Sequence, residues 1–180
     1  YITSGVATSA LHDVHISGAA FGTQATIPVV VNVLQSAQPA SMRFQASAVA
    51  TSVTLEIAGR IGVQTMSFVS GTKASAIAFA INRVSDSTGV AAAMTSATNA
   101  SSGLTFTTIG YGSNEFVSVS VLGNSSSFVT TNSQGAVQNR TTGRDVTASV
   151  NGAAAIGNGL NISVNTPALT MSMNIDPALG

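Results

Sequence analysis

The 180-residue chain lacks several residue types on which common protein chemistries depend. It has no cysteine, which excludes disulfides, thiolate metal ligands and cysteine nucleophiles. It has no tryptophan and only 5% aromatic residues, which disfavours a stacking platform for nucleic-acid bases or a large ligand pocket. Charged residues make up 7% of the chain, against about 25% in an average soluble protein. Ser, Thr, Asn and Gln must therefore solvate most of the surface.

The few charges are balanced and scattered. Six basic residues offset six acidic ones, and the basic residues form no cluster. The chain therefore offers no electrostatic footprint for nucleic acid or for an anionic membrane surface. The longest apolar run, at residues 27–34, contains Pro and Asn, and it is far shorter than the ~20 residues that span a bilayer. We expect neither nucleic acid nor a membrane as a partner. Because the sequence starts with Tyr1 rather than Met, we also expect a fragment or a processed form.

No arrangement of residues predicts catalysis or metal binding. His12 and His15 are the only histidines, with Asp13 between them. On a strand, residues i and i+3 point to opposite faces, so one metal ion could not easily bind both histidines. Glu56 and Glu115 each lie in or beside a predicted strand, and nothing in their spacing brings the two carboxylates into one cleft. We expect no catalytic residue, no cofactor and no metal, and hence not an enzyme.

Alternation of apolar and polar residues predicts a chain made mostly of β-strands. The clearest alternating runs lie at residues 27–33, 53–57, 117–121, 160–164 and 169–175. Roughly ten such strands, mostly antiparallel, are predicted, with one helix packed on a sheet. The predicted fold class is α+β, predominantly antiparallel β.

The single predicted helix spans residues 72–87. Ile77, Ile81 and Val84 fall at i, i+4 and i+7, which is one stripe of an α-helix. Gly89 is typical of the end of a helix, because glycine adopts positive φ without a steric penalty. A hydroxyl at Ser70 or Thr72 is the predicted N-cap. Phe79 lies off the stripe, and we expect it to meet a second surface or to cover a loop.

Several positions are candidates for glycosylation. Four Asn-X-Ser/Thr triplets begin at Asn99, Asn124, Asn139 and Asn161, and loops such as residues 124–127 are dense in serine. In a chain so rich in Asn, Ser and Thr, such triplets also arise by chance, so ordinary solvated loops are the alternative interpretation.

The helix and its flanks resemble a known motif. Ile81-Asn82 within the helix, followed by Thr88-Gly89-Val90 and further strands, resembles the IN motif of bacterial flagellins and hook-associated proteins, which is named for its Ile-Asn pair. The resemblance covers residues 51–122. It implies that the helix crosses a small sheet, with Ile81 facing the sheet and Asn82 at the helix edge, where its side chain can bond backbone groups.

The resemblance also implies a domain organisation and a function. Residues 1–180 would form a flagellin outer region, as one domain or as two lobes, in which a module at 51–122 is flanked by β segments at 1–50 and 123–180. The function would be structural: the surface-exposed outer domain of a flagellin subunit in the extracellular filament of the bacterial flagellum. The alternatives are a domain of a hook-associated or filament-cap protein, and a glycan-binding adhesin or phage-fibre β domain.

Expectations about partners follow from what the ends of the sequence do not resemble. Neither end shows the long heptad-like helices through which flagellins polymerise. Contacts with other flagellin subunits would therefore use regions absent here, and we expect the isolated chain to be monomeric. An edge-paired dimer is the main way in which this expectation could fail. If the chain is an outer domain, Tyr1 and Gly180 should lie close together.

Overall fold

The computed structural model describes residues 10–99, 101–123 and 127–179. All strand pairings in these residues are antiparallel, which confirms the predicted α+β, predominantly β class. The helices are α1 Ala74–Asn82 and α2 Ser85–Thr88. The strands are β1 Leu11–Ala19, β2 Val31–Gln35, β3 Ser41–Phe44, β4 Val53–Ala58, β5 Val63–Phe68, β6 Val90–Met94, β7 Leu104–Thr108, β8 Phe116–Leu122, β9 Thr130–Thr131, β10 Arg140–Thr142, β11 Thr147–Val150, β12 Ala153–Ala154, β13 Ile156–Asn158, β14 Asn161–Asn165 and β15 Leu169–Ile175.

The chain divides into two compact units. The first unit combines the segment up to Gln38 with the segment from Arg144 onward, and the second unit is the intervening Pro39–Gly143. The predicted module at residues 51–122 lies wholly inside the second unit, which extends further at both ends. The second unit is therefore an insertion into the first unit, and not a domain that follows it along the chain.

The first unit contains two sheets, with strand orders β1-β15-β14-β13 and β12-β11-β2. Its core consists of alternate residues of β11, β14 and β15, as the period-two pattern predicts. Leu11 pairs with Ile175, so the first and last described strands lie side by side. The expected proximity of Tyr1 and Gly180 falls outside the described residues.

The two connections to the second unit leave the first unit together. The backbone N–H of Gln38 donates to the carbonyl of Arg144 at 2.8 Å, and the N–H of Arg144 donates to the carbonyl of Gln38 at 2.9 Å. The Arg144 guanidinium also donates to the carbonyl of Ser36 at 3.1 Å. These bonds hold the outgoing and returning segments next to each other, as expected for an inserted unit.

The second unit packs two sheets and helix α1 around one core. The sheet orders are β10-β8-β4-β5 and β6-β7-β3-β9. An aromatic cluster closes part of this core: the rings of Phe44 and Phe128 stack at 3.9 Å between centroids, and Phe106 meets Phe128 edge-on at 6.3 Å. Leu55, Ile57 and the apolar stripe of α1 belong to the same core.

The predicted helix at residues 72–87 is divided into α1 and α2. The break falls at Val84, whose φ of −119° and ψ of 13° are not helical. The last turn of α1 tightens there, because the N–H of Val84 donates to the carbonyl of Ile81, three residues back, at 3.0 Å. The Ser85 hydroxyl donates to the carbonyl of Asn82 at 3.0 Å. Such local side-chain bonds compete with helix propagation, which the apolar stripe alone does not reveal.

Neither predicted N-cap forms, and Phe79 is exposed. Lys73 occupies the N-cap position without a side-chain bond. The Thr72 hydroxyl donates to the carbonyl of Val69, and the Ser70 hydroxyl donates to the carbonyl of Ala50. The hydroxyls of both predicted caps are thus engaged in the turn before the helix. Phe79, which we expected to meet a second surface or to cover a loop, is 66% exposed.

Candidate structural site at the junction of helix α1 and strand β6

Helix α1 is held to the core by its apolar stripe. Ile77 and Ile81 are completely buried, and the small Ala74 and Ala78 beside them are also buried. Small residues let the helix approach the sheets closely, and burial of an Ile side chain contributes about 1.5–3 kcal/mol. Ile81, the first residue of the Ile-Asn pair, therefore fixes one end of α1 in the core.

Asn82 bonds the edge of strand β6. Its Nδ2 donates to the carbonyl of Ala92 at 2.8 Å, and the N–H of Ala92 donates to its Oδ1 at 2.8 Å. Ala92 lies opposite Phe106 on β7. The two residues form a non-hydrogen-bonded pair, so the N–H and C=O groups of Ala92 point away from β7. The Asn82 carboxamide therefore takes the place that a peptide group of a further strand would occupy.

Thr88 completes the same edge, and the sequence reasoning did not identify its role. Thr88 is completely buried. Its Oγ1 accepts from the N–H of Val90 at 3.2 Å and lies 3.1 Å from the carbonyl of Val84 and 3.4 Å from that of Val90. The hydroxyl thus engages the outward-facing groups of Val90 as Asn82 engages those of Ala92. The sequence offers no signal for this role beyond the position of Thr88 next to Gly89, which is typical of a helix end.

Gly89 joins α2 to β6 in a conformation that favours glycine. Its φ is +78°, in the left-handed region, and it forms the C-cap of α2. A Cβ at this position would lie 3.2 Å from Cγ1 of Ile61, in the turn between β4 and β5. In the same turn, a Cβ at Gly59 would lie 2.4 Å from the carbonyl oxygen of Thr88. The turn and the helix–strand corner therefore approach too closely for larger residues.

An ion pair also holds the turn between β4 and β5. The Glu115 side chain is almost wholly buried, and its Oε1 accepts from Nε of Arg60, whose side chain is 57% exposed. The backbone carbonyl of Glu115 also accepts from the N–H of Gly143 at 2.9 Å. Glu56 lies on β4 opposite Thr65 and does not share a cleft with Glu115. The Arg60–Glu115 pair therefore ties the turn between β4 and β5 to the residue before β8.

The residues predicted for the motif thus have different surroundings. Ile77 and Ile81 lie in the core, Asn82 lies on the strand edge, and Gly89 is the C-cap of α2. Val84, predicted on the buried stripe, is only half-buried because it lies at the break between the two helices.

The histidines and acidic residues considered as metal ligands do not form a cluster in the described part of the chain. His12 Nε2 lies 3.9 Å from a carboxylate oxygen of Asp176, and Asp13 accepts a bond from Asn174. Within the described part of the chain, no three His, Asp or Glu side chains are close enough to hold a metal ion. No helix in that part is long and apolar enough to cross a membrane.

The glycosylation triplets differ in accessibility. Asn99 and Asn139 are exposed. The Asn161 amide donates to Asn174 on the neighbouring strand at 3.0 Å and is only partly accessible. Asn124 lies outside the described residues.

Comparisons with known proteins agree with the recognised motif. A family profile described as the flagellin hook IN motif matches residues 52–110. No curated protein sequence matches the chain. Solved structures with a similar fold include the D2-D3 domains of the flagellar cap protein FliD from Escherichia coli, at 19% identity and a TM-score of 0.61 over 94% of this chain and 89% of that chain. FliD (HAP2) from Pseudomonas aeruginosa PAO1 is similar at 20% identity and a TM-score of 0.61, over 92% of this chain and 78% of that one.

The motif and the fold indicate what the chain is similar to. The chain carries the flagellin hook IN motif at residues 52–110. The recognition of that motif from Ile81-Asn82 is confirmed. The fold is similar to that of the D2-D3 domains of the Escherichia coli cap protein.

Proposed function

We propose that the chain is the D2-D3-like portion of a filament-cap protein, and not the outer domain of a flagellin. The observation that carries this proposal is the extent of the shared fold. The similarity to the Escherichia coli cap protein covers 94% of this chain and 89% of that chain, so it includes both units and the insertion of one into the other. The motif profile covers only residues 52–110, and such a motif also occurs in flagellins. The cap interpretation therefore uses more of the molecule than the flagellin interpretation does.

The proposed role is mechanical and needs no catalysis. Asn82 joins α1 to β6, Thr88 joins α2 to β6, and the Arg60–Glu115 pair ties the turn between β4 and β5 to the residue before β8. Each contact removes a way in which the second unit could deform. A stiff unit with a nearly uncharged Ser, Thr and Asn surface suits an extracellular spacer or cover that does not attract polyanions.

Immunoelectron microscopy with an antibody against this chain tests the proposal directly on cells that produce it. A cap component should label only the filament tip, whereas a flagellin should label the filament along its length. A hook-associated protein should label the hook end of the filament. Labelling along the whole filament would overturn the cap proposal and restore the flagellin interpretation.

Glycosylation is a second, separable part of the proposal. The exposed Asn139 beside β10, and the exposed serine and threonine hydroxyls of the sheets, are accessible acceptors. The intact mass of protein sheared from cells should exceed the sequence mass by whole sugar units. A mass equal to that of the unmodified chain would exclude modification in that host.

A further inference from the structure

Strand β5 forms one edge of the sheet β10-β8-β4-β5. Its six residues, Val63–Phe68, pair with β4 without a bulge or a register shift. Residues 63, 64, 65 and 67 are exposed. Regular, exposed edge strands are templates for pairing with another strand.

The backbone groups of β5 that point away from β4 can be identified because hydrogen-bonded and non-hydrogen-bonded pairs alternate along the two strands. The N–H of Gly59 donates to the carbonyl of Gly62 at 3.0 Å and closes the hairpin, so this is a hydrogen-bonded pair. Such pairs alternate along an antiparallel ladder. The N–H and C=O groups of Val63, Thr65 and Ser67 are therefore directed outward. We call these six backbone groups the open edge.

The other sheet edges of the described residues differ from the open edge. The edge of β6 is closed by the side chains of Asn82 and Thr88. Strand β1 carries two register shifts, and the pairing of β2 carries one; such irregularities disrupt edge pairing. The edge strands β9, β10, β12 and β13 are only two or three residues long.

The open edge also lacks the residues that usually prevent pairing. Natural edges are protected by Lys, other charges or Pro, but residues 61–72 contain no charged residue and no Pro. Val63 within the open edge is 53% exposed, and Ile61 and Val69 beside it are 56% and 72% exposed. An uncharged, extended strand is the occupant that fits.

We propose that the occupant is β5 of a second copy of this chain, paired antiparallel about a two-fold axis at Thr65. In that register Val63 lies opposite Ser67 of the second copy, and no like charges meet because the strand has none. The two four-stranded sheets become one continuous eight-stranded sheet. The proposal does not depend on the cap function.

The small area of one strand pair sets the strength of the association. Six residues on each side bury far less than the ~1,200 Å² of a stable interface. The chain therefore stays monomeric at micromolar concentration and pairs at about 1 mM. Copies held side by side in an assembly reach such effective concentrations.

Two matched proline variants test the pairing. Thr65→Pro removes an outward N–H and leaves the β4 ladder intact, whereas Gln64→Pro removes an inward N–H and breaks that ladder. By analytical ultracentrifugation at about 1 mM, wild type should form dimers, and Thr65→Pro should remain monomeric with wild-type far-UV circular dichroism. Gln64→Pro should unfold at lower urea concentration. A monomeric wild type, or an undiminished Thr65→Pro dimer, would overturn the proposal. If Thr65→Pro does not fold, Thr65→Lys replaces it, because facing lysines repel.

The absence of cysteine provides an independent test of the register. Thr65→Cys places its thiol on the two-fold axis, where hydrogen-bonded antiparallel pairs have Cα atoms about 5.5 Å apart, within disulfide reach. Ser120→Cys on the interior strand β8 is the matched control on the same sheet face. On mild oxidation, Thr65→Cys should form covalent dimers at least about tenfold faster than Ser120→Cys. Equal rates would show random collisions and would contradict the two-fold register.

Discussion

Replacing Asn82 by Ala removes the amide that closes the edge of β6. The variant loses both 2.8 Å bonds to Ala92, whose backbone groups then have no partner from the helix. Each hydrogen bond contributes about 0.5–1.5 kcal/mol net. Ala92 is only 6% exposed, so water cannot fully replace the amide. The expected loss is therefore about 2–3 kcal/mol in the free energy of unfolding.

Urea denaturation followed by far-UV circular dichroism measures this loss, since the chain has no tryptophan to report by fluorescence. Ser85→Ala is the matched control, because it removes one exposed bond at the same helix end and should cost less than about 0.5 kcal/mol. Hydrogen exchange gives a local readout: the Ala92 amide should exchange faster in Asn82→Ala and unchanged in Ser85→Ala. An Asn82→Ala variant as stable as wild type, with a protected Ala92 amide, would refute the assigned role.

Asn82→Asp separates the donor from the acceptor. The carboxylate still accepts from the Ala92 N–H, but its second oxygen faces the Ala92 carbonyl without a proton to donate. This repulsion raises the folded-state pKa of the introduced carboxyl above its unfolded value of about 3.9. The contribution of this carboxyl to the free energy of unfolding is therefore fully present below about pH 4, where the carboxyl is protonated, and is lost as pH rises through the folded-state pKa. Asn82→Ala should show no such dependence, so parallel pH profiles for the two variants would contradict the two-bond geometry.

Three further substitutions test the surroundings of this junction by the same denaturation assay. Ile81→Asp buries an unpaired charge and should cost at least about 4 kcal/mol, whereas Phe79→Asp on the exposed face should be nearly neutral; equal costs would show that the stripe is not buried. Gly89→Ala should cost about 1–2 kcal/mol, because φ is +78° and the added methyl would lie 3.2 Å from the nearest side-chain atom; an unchanged midpoint would exclude that strain. Arg60→Ala should cost about 1–3 kcal/mol by leaving the Glu115 carboxylate without its partner, and adding Glu115→Gln should recover part of the loss; no recovery would mean that Arg60 acts by packing alone.

Local patterns predicted the elements well where one side of a strand or helix is buried. Alternation located strands such as β4, β8 and β15, and the i, i+4 spacing of Ile77 and Ile81 located α1, because these periods follow directly from backbone geometry. The break after Asn82 was missed, because hydrophobic periodicity carries no information about hydroxyls that compete for helix carbonyls.

The unit boundaries could not be derived from local sequence. They depend on the pairing of Gln38 with Arg144, two residues far apart in the chain. The neighbouring Pro39 and Gly143 are turn signals, and the polar stretch at 124–143 suggests a loop or a lobe junction, but these signals do not reveal which two segments pair. The partner of Asn82 was equally inaccessible. That Ala92 and not a neighbour presents its backbone groups outward is decided by the register of β6 on β7, which only the folded sheet defines.

The scarcity of charge explains why the edges formed by β5 and β6 differ. A chain with 7% charged residues has few lysines or glutamates to place on its sheet edges, although charge is a common way to prevent strand pairing. Short polar side chains can also prevent strand pairing by bonding the backbone groups of an edge strand. They do so only where the fold places them against that strand. Helix α1 delivers Asn82 to β6, and Thr88 lies at the start of the same strand. In the part of the chain that the structure describes, no side chain bonds the outward backbone groups of β5, which remain available to a second strand.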